Sequence, residues 1–323
     1  MKFHRFLSFV EFVILLLVAA AYAPYARAQN GSSNGDKAFL GRWDLTLKAP
    51  DREYPSWLEL SVDGDQLKAE MVGRWGNARP LPKAEISHGK LTFVSPKQEE
   101  SSKEDMVFEG KMQGGRLVGT VNGPDGTQWT WTGVHAPSLA RRGTPHWGKP
   151  VKLFNGKDLS GWKPDKDASP SWTVQDGTLV SPGRGPELIN QSKFGDFKLH
   201  IEFNCGEKAN SGVYLRGRYE VQVETNSIQE PPSHHTGAIY GFIAPSPELP
   251  RKPGLWQTFD ITLIGRTVTV VQNGQTIIDH KEIPGITGGA LDSHEALPGP
   301  IYLQGSEEGH VSYRNILLTP AKK

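Results

Sequence analysis

The sequence predicts an all-β protein in which a small antiparallel barrel-like domain precedes an antiparallel sandwich. Three observations carry this. Gly and Pro number 36 and 24 among 323 residues, a composition suited to short strands with many turns. Apolar and polar residues alternate with period two in run after run, and pairs such as Asp63-Gly64, Asn122-Gly123 and Asn273-Gly274 interrupt them at steady intervals. No stretch sustains helical periodicity for three turns. Lys+Arg 36 against Asp+Glu 35 leaves no charge excess to attract nucleic acid. The single cysteine, Cys205, excludes an internal disulfide and any multi-cysteine metal site, and reads as a buried thiol.

Along the chain, Met1–Ala28 has a basic start (Lys2, Arg5), an apolar middle from Phe6 to Ala23, and Ala26-Arg27-Ala28 before Gln29. Those are the parts of a cleavable signal peptide, so a periplasmic or secreted protein without a membrane anchor is expected. Gln29–Lys37 is a Gly/Ser-rich leader. Residues 37–137 carry seven or eight alternating runs, among them Trp43–Leu47, Trp57–Ser61, Met106–Gly110 and Trp129–Gly133. A meander of that length closes most simply into a small barrel. Five of the nine tryptophans lie here and serve either a core or a sugar site. Residues 138–150, with Arg141, Arg142, Pro145 and Pro150, break the pattern and read as a linker.

The remainder, residues 151–323, is strand after strand, the natural content of a sandwich. Phe197–Phe203 places Phe197, Leu199, Ile201 and Phe203 inside and Lys198, His200 and Glu202 on the opposite face. Tyr219–Glu224 projects Glu220, Gln222 and Glu224 together. If consecutive strands pair, His200 and Glu202, Tyr214 and Arg216, and Glu220 and Gln222 share one open face. Carboxylate, guanidinium, amide and phenol groups there suit a polyol; the alternative is a solvated outer surface. P-loop, G-x-G-x-x-G, G-x-S-x-G and H-E-x-x-H motifs are all absent. His234-His235, in a Pro-rich loop, reads as exposed and inert, or else as reaching over the sheet.

The second domain resembles the 3-keto-disaccharide hydrolase domain family. The resemblance rests on Leu153–Trp162, Trp172–Gly177, Phe197–Phe203, Asn210–Arg216, Tyr219–Gln222, Thr236–Tyr240, Gly254–Trp256, Gly299–Gln304 and Arg314–Ile316, in that order. It covers about Val151 to Pro320. It implies a concanavalin A-like jelly roll and action on glycosides oxidised at carbon 3. Its matched polar residues are Asn210, Ser211, Arg216, Glu220, Gln222, Tyr240, Gln304, Arg314 and Asn315. Members commonly carry a histidine two residues after the position of Gln304; here Ser306 stands there, and either His310 substitutes from a longer turn or the role is absent.

A ketone at carbon 3 acidifies the proton on carbon 2, so cleavage needs a base, a partner for the enolate oxygen and an acid for the leaving group. The expected assignment is Glu220 or His200 as base, with Arg216 stabilising the enolate. Asn210, Tyr214, Gln222, Tyr240, Gln304, Glu202 and His235 are expected to bind the sugar. A divalent cation is the one cofactor such a Glu/His-rich face suggests, although no ligand spacing identifies one. The rival function is a carbohydrate-binding module on the same sandwich.

Overall fold

The computed structural model describes residues 36–166, 171–224 and 229–322. The expected signal peptide and its cleavage site lie outside them. The first nine strands are β1 (Gly41–Lys48), β2 (Glu53–Asp63), β3 (Gln66–Val72), β4 (Arg79–Pro80), β5 (Lys83–Ser87), β6 (Lys90–Ser95), β7 (Met106–Gln113), β8 (Arg116–Asn122) and β9 (Gln128–His135). They form one antiparallel sheet in the order β4-β3-β2-β1-β9-β8-β7-β6-β5. Two meanders are thus joined where β9 returns to pair with β1, Leu45 opposite Gly133. The sheet curls around a core that includes Trp43, Leu45, Phe93, Phe108 and Trp131. Four of this domain's five tryptophans are buried, as a core role requires; Trp75 is 39% exposed.

The sandwich comprises β10 (Val151–Lys152), β11 (Trp162–Pro164), β12 (Thr173–Gln175), β13 (Thr178–Ser181), β14 (Leu188–Asn190), β15 (Phe197–Cys205), β16 (Asn210–Leu215), β17 (Tyr219–Glu224), β18 (Gln257–Ile264), β19 (Thr267–Gln272), β20 (Gln275–Glu282), β21 (Tyr302–Leu303) and β22 (Val311–Pro320). One sheet runs β12-β13-β22-β15-β18-β19-β20, with β10 also on β22; the other runs β11-β14-β21-β16-β17. Alternation on β15 buries Phe197, Leu199, Ile201 and Phe203, in one apolar cluster with Val213, Leu215, Val221 and Val223 of the second sheet. Each such side chain contributes about 1.5–3 kcal/mol on burial. Burial also pushes the Cys205 thiol up to about 11, which suits a core residue and not a nucleophile.

Consecutive strands do not all pair. The sheet containing β15 places it between β18 and β22, and β16 belongs to the other sheet. This corrects the expectation that His200 and Glu202 share a face with Tyr214 and Glu220. Sequence alternation fixes which side of a strand is apolar but not which sheet the strand joins.

The described residues form one compact unit. Trp57, Val72 and Ala78 from the barrel belong to the same buried apolar cluster as the sandwich core. Trp57 meets Phe242 edge-on at 5.2 Å. Asp44 of β1 is buried, and that burial together with the nearby Glu295 pushes its carboxyl up to about 9. The segment expected to be a linker is strapped to the sandwich: Arg141 Nε donates to Asp196 at 2.9 Å, and Trp147 bridges Ala321.

Candidate functional site

On β17 the core side chains are Tyr219, Val221 and Val223, so Glu220, Gln222 and Glu224 occupy the sheet's other face, as alternation predicts. That face is not open. Glu220 and Gln222 are only 4% and 3% exposed. The chain after residue 235 lies along the free edge of β17: Gln222 N donates to Ala238 O at 3.0 Å, Gly237 N to Gln222 O at 2.8 Å, and Tyr240 N to Glu220 O at 3.1 Å. From the other side Glu220 N donates to Thr287 Oγ1 at 3.0 Å. Two loops thereby wall in the carboxyl group.

The neighbouring strands complete the face. Register places Tyr214 opposite Glu220 and Gly212 opposite Gln222. Tyr302 of β21 pairs with Tyr214, and the rings stack at 4.1 Å. Gly212 supplies space: a β-carbon there would lie 2.1 Å from Glu220 Oε1. Gln222, with its amide oriented to satisfy both ends, donates to Ser211 O at 2.8 Å and to Glu220 Oε1 at 3.2 Å.

This setting disfavours the charged form of Glu220. Burial holds its carboxyl well above the usual carboxylate range, and the charges of Glu187 and Glu307 add to the effect. The hydrogen-bond geometry accommodates a protonated carboxyl. Tyr214 Oη lies 2.7 Å from Gly288 O and 2.9 Å from Glu220 Oε2. One hydroxyl proton cannot serve two acceptors. Donated to the Gly288 carbonyl, it leaves the Tyr214 oxygen able to accept a hydrogen bond from a protonated Glu220; donated to Glu220, it opposes the rise that burial causes.

A second carboxyl group, Glu187, stands at the start of β14 and was missed from the sequence. Leu188 pairs with Leu303, which sets Glu187 beside Gln304 at the end of β21. Its Oε2 accepts from Gly305 N at 2.7 Å. Burial pushes the Glu187 carboxyl up to about 7, with Asp165 and Glu307 adding and the Gly305 N–H opposing. Glu187, Gln304, Ser306, Glu307, Lys166 and Arg184 line an open groove of about 410 Å³. Gln304 Nε2 donates to Glu307 at 3.3 Å, while its buried Oε1 has no partner among the described residues. A three-residue strand gives too little alternation to mark Glu187; the available signal was its place after the turn-forming run Pro182–Pro186.

The other expected site residues divide. Tyr214, Gln222 and Tyr240 gather around Glu220, Gln304 lines the groove, and Asn210 begins β16, its carbonyl accepting from Glu307 N at 2.9 Å. His235 is buried, not exposed; its Nδ1 lies 2.8 Å from Glu248 and its Nε2 2.9 Å from Glu230 O. His234 is buried too, its ring tilted against Tyr240 at 4.6 Å. The inert-surface reading of this pair is therefore corrected.

Seven residues do not join the site. His200 pairs with Asp260 at 2.7 Å on the outer face of the first sheet. Glu202 accepts from Arg314 and Asn315 there, each at 2.6 Å, which takes these two from the site as well. Arg216, at φ 53° in the β16–β17 turn, is buried and donates to Tyr219 Oη at 3.0 Å and Gly265 O at 2.9 Å. The left-handed turn aims it toward the sandwich interior, so it is a turn-fastening residue. Ser211 likewise faces inward, bonded to Gln304 O at 2.6 Å and close to Tyr313 Oη at 2.9 Å. His310 is exposed beside Gly206 and does not line the groove. No cluster of three or more His, Cys, Asp or Glu groups able to hold a metal ion occurs among the described residues.

Residues 149–319 match the family model of the 3-keto-alpha-glucoside-1,2-lyase-like domain. The chain belongs to this family. A 3-keto-disaccharide hydrolase of Bacteroides thetaiotaomicron is 23% identical over 167 residues, which are 40% of this chain and 58% of that protein. The match thus spans rather more than half the length of that relative. A solved structure from Parabacteroides distasonis, assigned as a candidate glycosyl hydrolase, is 30% identical, covering 57% of this chain and 96% of that one with a TM-score of 0.45. A carbohydrate-binding module from Bacillus subtilis is 12% identical, covering 50% of this chain and 94% of that one with a TM-score of 0.33.

Proposed function

We propose that this protein is an exported enzyme that cleaves the glycosidic bond of 3-keto-glycosides by elimination and rehydration. Family membership supports the substrate class. The observation that carries the chemistry is a pair of carboxyl groups raised by burial: Glu187, pushed up to about 7, lines the groove, and Glu220, raised well above the usual range, lies near enough to feel the Glu187 charge. Two carboxyl groups whose surroundings set different protonation states are what an acid–base pair requires.

In this reading Glu187, as carboxylate, takes the proton from carbon 2, and its electron pair forms the enolate of the carbon-3 ketone. The enolate re-forms the ketone as the carbon 1–oxygen bond breaks, and the departing oxygen takes the proton held by Glu220. Water then adds across the carbon 1–carbon 2 double bond, hydroxyl to carbon 1 and hydrogen to carbon 2, so the net change is hydrolysis. Tyr214 and Gln222 each hold one oxygen of the Glu220 carboxyl in place, and Gln304 Oε1 offers an acceptor to a sugar hydroxyl. Asn210 and Tyr240 border the sugar.

The test is incubation with a 3-keto-glucoside and with its unoxidised parent. Aglycone should leave only the keto compound, and Glu187→Gln should abolish release. Ser306, in the place of the family's usual histidine, favours the second reading, a binding module; sugar binding without any release would establish that one.

A further inference from the structure

The barrel packs against the loops that cover Glu220. Two sandwich loops wall in Glu220, and both rest on barrel residues. Gly241, next to Tyr240, packs so tightly on the β3–β4 loop that a β-carbon there would lie 2.7 Å from Asn77 Cβ and 2.9 Å from Ala78 N. Gly288, whose carbonyl receives the Tyr214 hydroxyl, would place a β-carbon 2.0 Å from the backbone oxygen of Gly76. On the next turn of the same support, Trp57 of β2 would meet a β-carbon at Gly285 at 2.1 Å. Gly76, Asn77 and Ala78 therefore back both of the loops that cover Glu220.

This loop carries the most exposed tryptophan of the nine, Trp75. One face of its indole is covered by the Arg74 guanidinium at 3.8 Å. Arg74 is itself buried and fastened, donating to Glu100 O at 2.7 Å and to Glu100 Oε2 at 3.3 Å. The indole is thus held by a fixed cation on one side while the ring stays open to solvent. A rigid aromatic surface with little entropy to lose suits stacking against the apolar face of a pyranose ring.

We propose that the β3–β4 loop supplies a second sugar subsite, with Trp75 as the stacking platform for the ring on the leaving-group side of the bond. The substrate class is then a disaccharide or longer glycoside oxidised at carbon 3 of the ring seated over Glu220. The barrel acts as one wall of the site and not as a detached accessory. The proposal rests on the function given above, and its test separates the two.

The experiment uses the full chain and its Trp75→Ala and Trp75→Phe variants. Direct calorimetric binding is measured for an unoxidised glucose disaccharide and for methyl glucoside, and turnover for their 3-keto forms. Trp75→Ala should weaken disaccharide binding by about tenfold, the scale of a truncated aromatic anchor, and raise KM for the keto-disaccharide with kcat little changed. Methyl glucoside and its keto form should be unaffected, and Trp75→Phe should recover most of the loss. Disaccharide binding that depends on Trp75 without any turnover would uphold the subsite and overturn the proposed reaction. A disaccharide preference unchanged in Trp75→Ala, absent from the wild type, or lost equally for both ligands would overturn the subsite.

Discussion

Replacing Glu220 with glutamine separates its protonation from its shape. A neutral carboxyl group donates one hydrogen bond and accepts another; a glutamine amide can do the same toward Tyr214 and Gln222, so the buried network survives. What changes is linkage. In the unfolded chain Glu220 ionises near its ordinary value of 4.5, whereas burial raises it well above that in the folded protein. Above that pH the folded state therefore binds one more proton than the unfolded state, and wild-type stability falls as pH rises. The slope is about 1.4 kcal/mol per pH unit for one proton, as long as the folded carboxyl stays neutral. Glutamine does not titrate, so Glu220→Gln should gain on the wild type by that slope as pH rises above 5. Glu187 and Asp44 titrate in both proteins and largely cancel in the difference. Urea denaturation followed by circular dichroism from pH 4.5 to 7.5 measures it, and turnover should meanwhile drop by about 10²-fold or more. Parallel stability profiles would show that Glu220 ionises normally in the fold, which would refute its role as the acid.

Three further outcomes are expected. Gly212→Ala puts a β-carbon 2.1 Å from Glu220 Oε1; it should cost about 1–3 kcal/mol by overpacking and lower kcat more than it raises KM. With the Glu187 carboxyl at about 7 and acting as carboxylate, kcat/KM should rise with pH through that value and level off, and Glu187→Asn should remove the dependence along with the rate. The mature exported protein should begin at Gln29, as N-terminal sequencing would show; a start at Met1 would remove the case for cleavage.

Much of this architecture was legible in the sequence, because strand alternation and turn chemistry are local. The inward residues of β15 and the outward trio Glu220, Gln222 and Glu224 were both readable from period two alone. Pairing order was not. His200 looked adjacent to Glu220 because β15 precedes β16, yet the two strands lie in different sheets, an arrangement set by the whole core. Arg216 looked like a site cation on alternation, but a left-handed turn residue leaves the alternation and its side chain turns inward. His234 and His235 gave no sign of burial, since the loop that holds them gains its cover only by lying along the edge of β17. Glu187 and the barrel's Gly76–Ala78 contact depend on segments far apart in sequence, which no local pattern reports.

The central claim is that the bond breaks by loss of the proton on carbon 2. A 3-keto-glucoside carrying deuterium at carbon 2, compared with the unlabelled compound under identical conditions, tests it most directly. Slower aglycone release from the labelled substrate, with the effect on kcat/KM, is the predicted result. Equal rates for the two substrates, with deuterium retained at carbon 2 of the released sugar, would mean direct displacement at carbon 1 and would contradict the account.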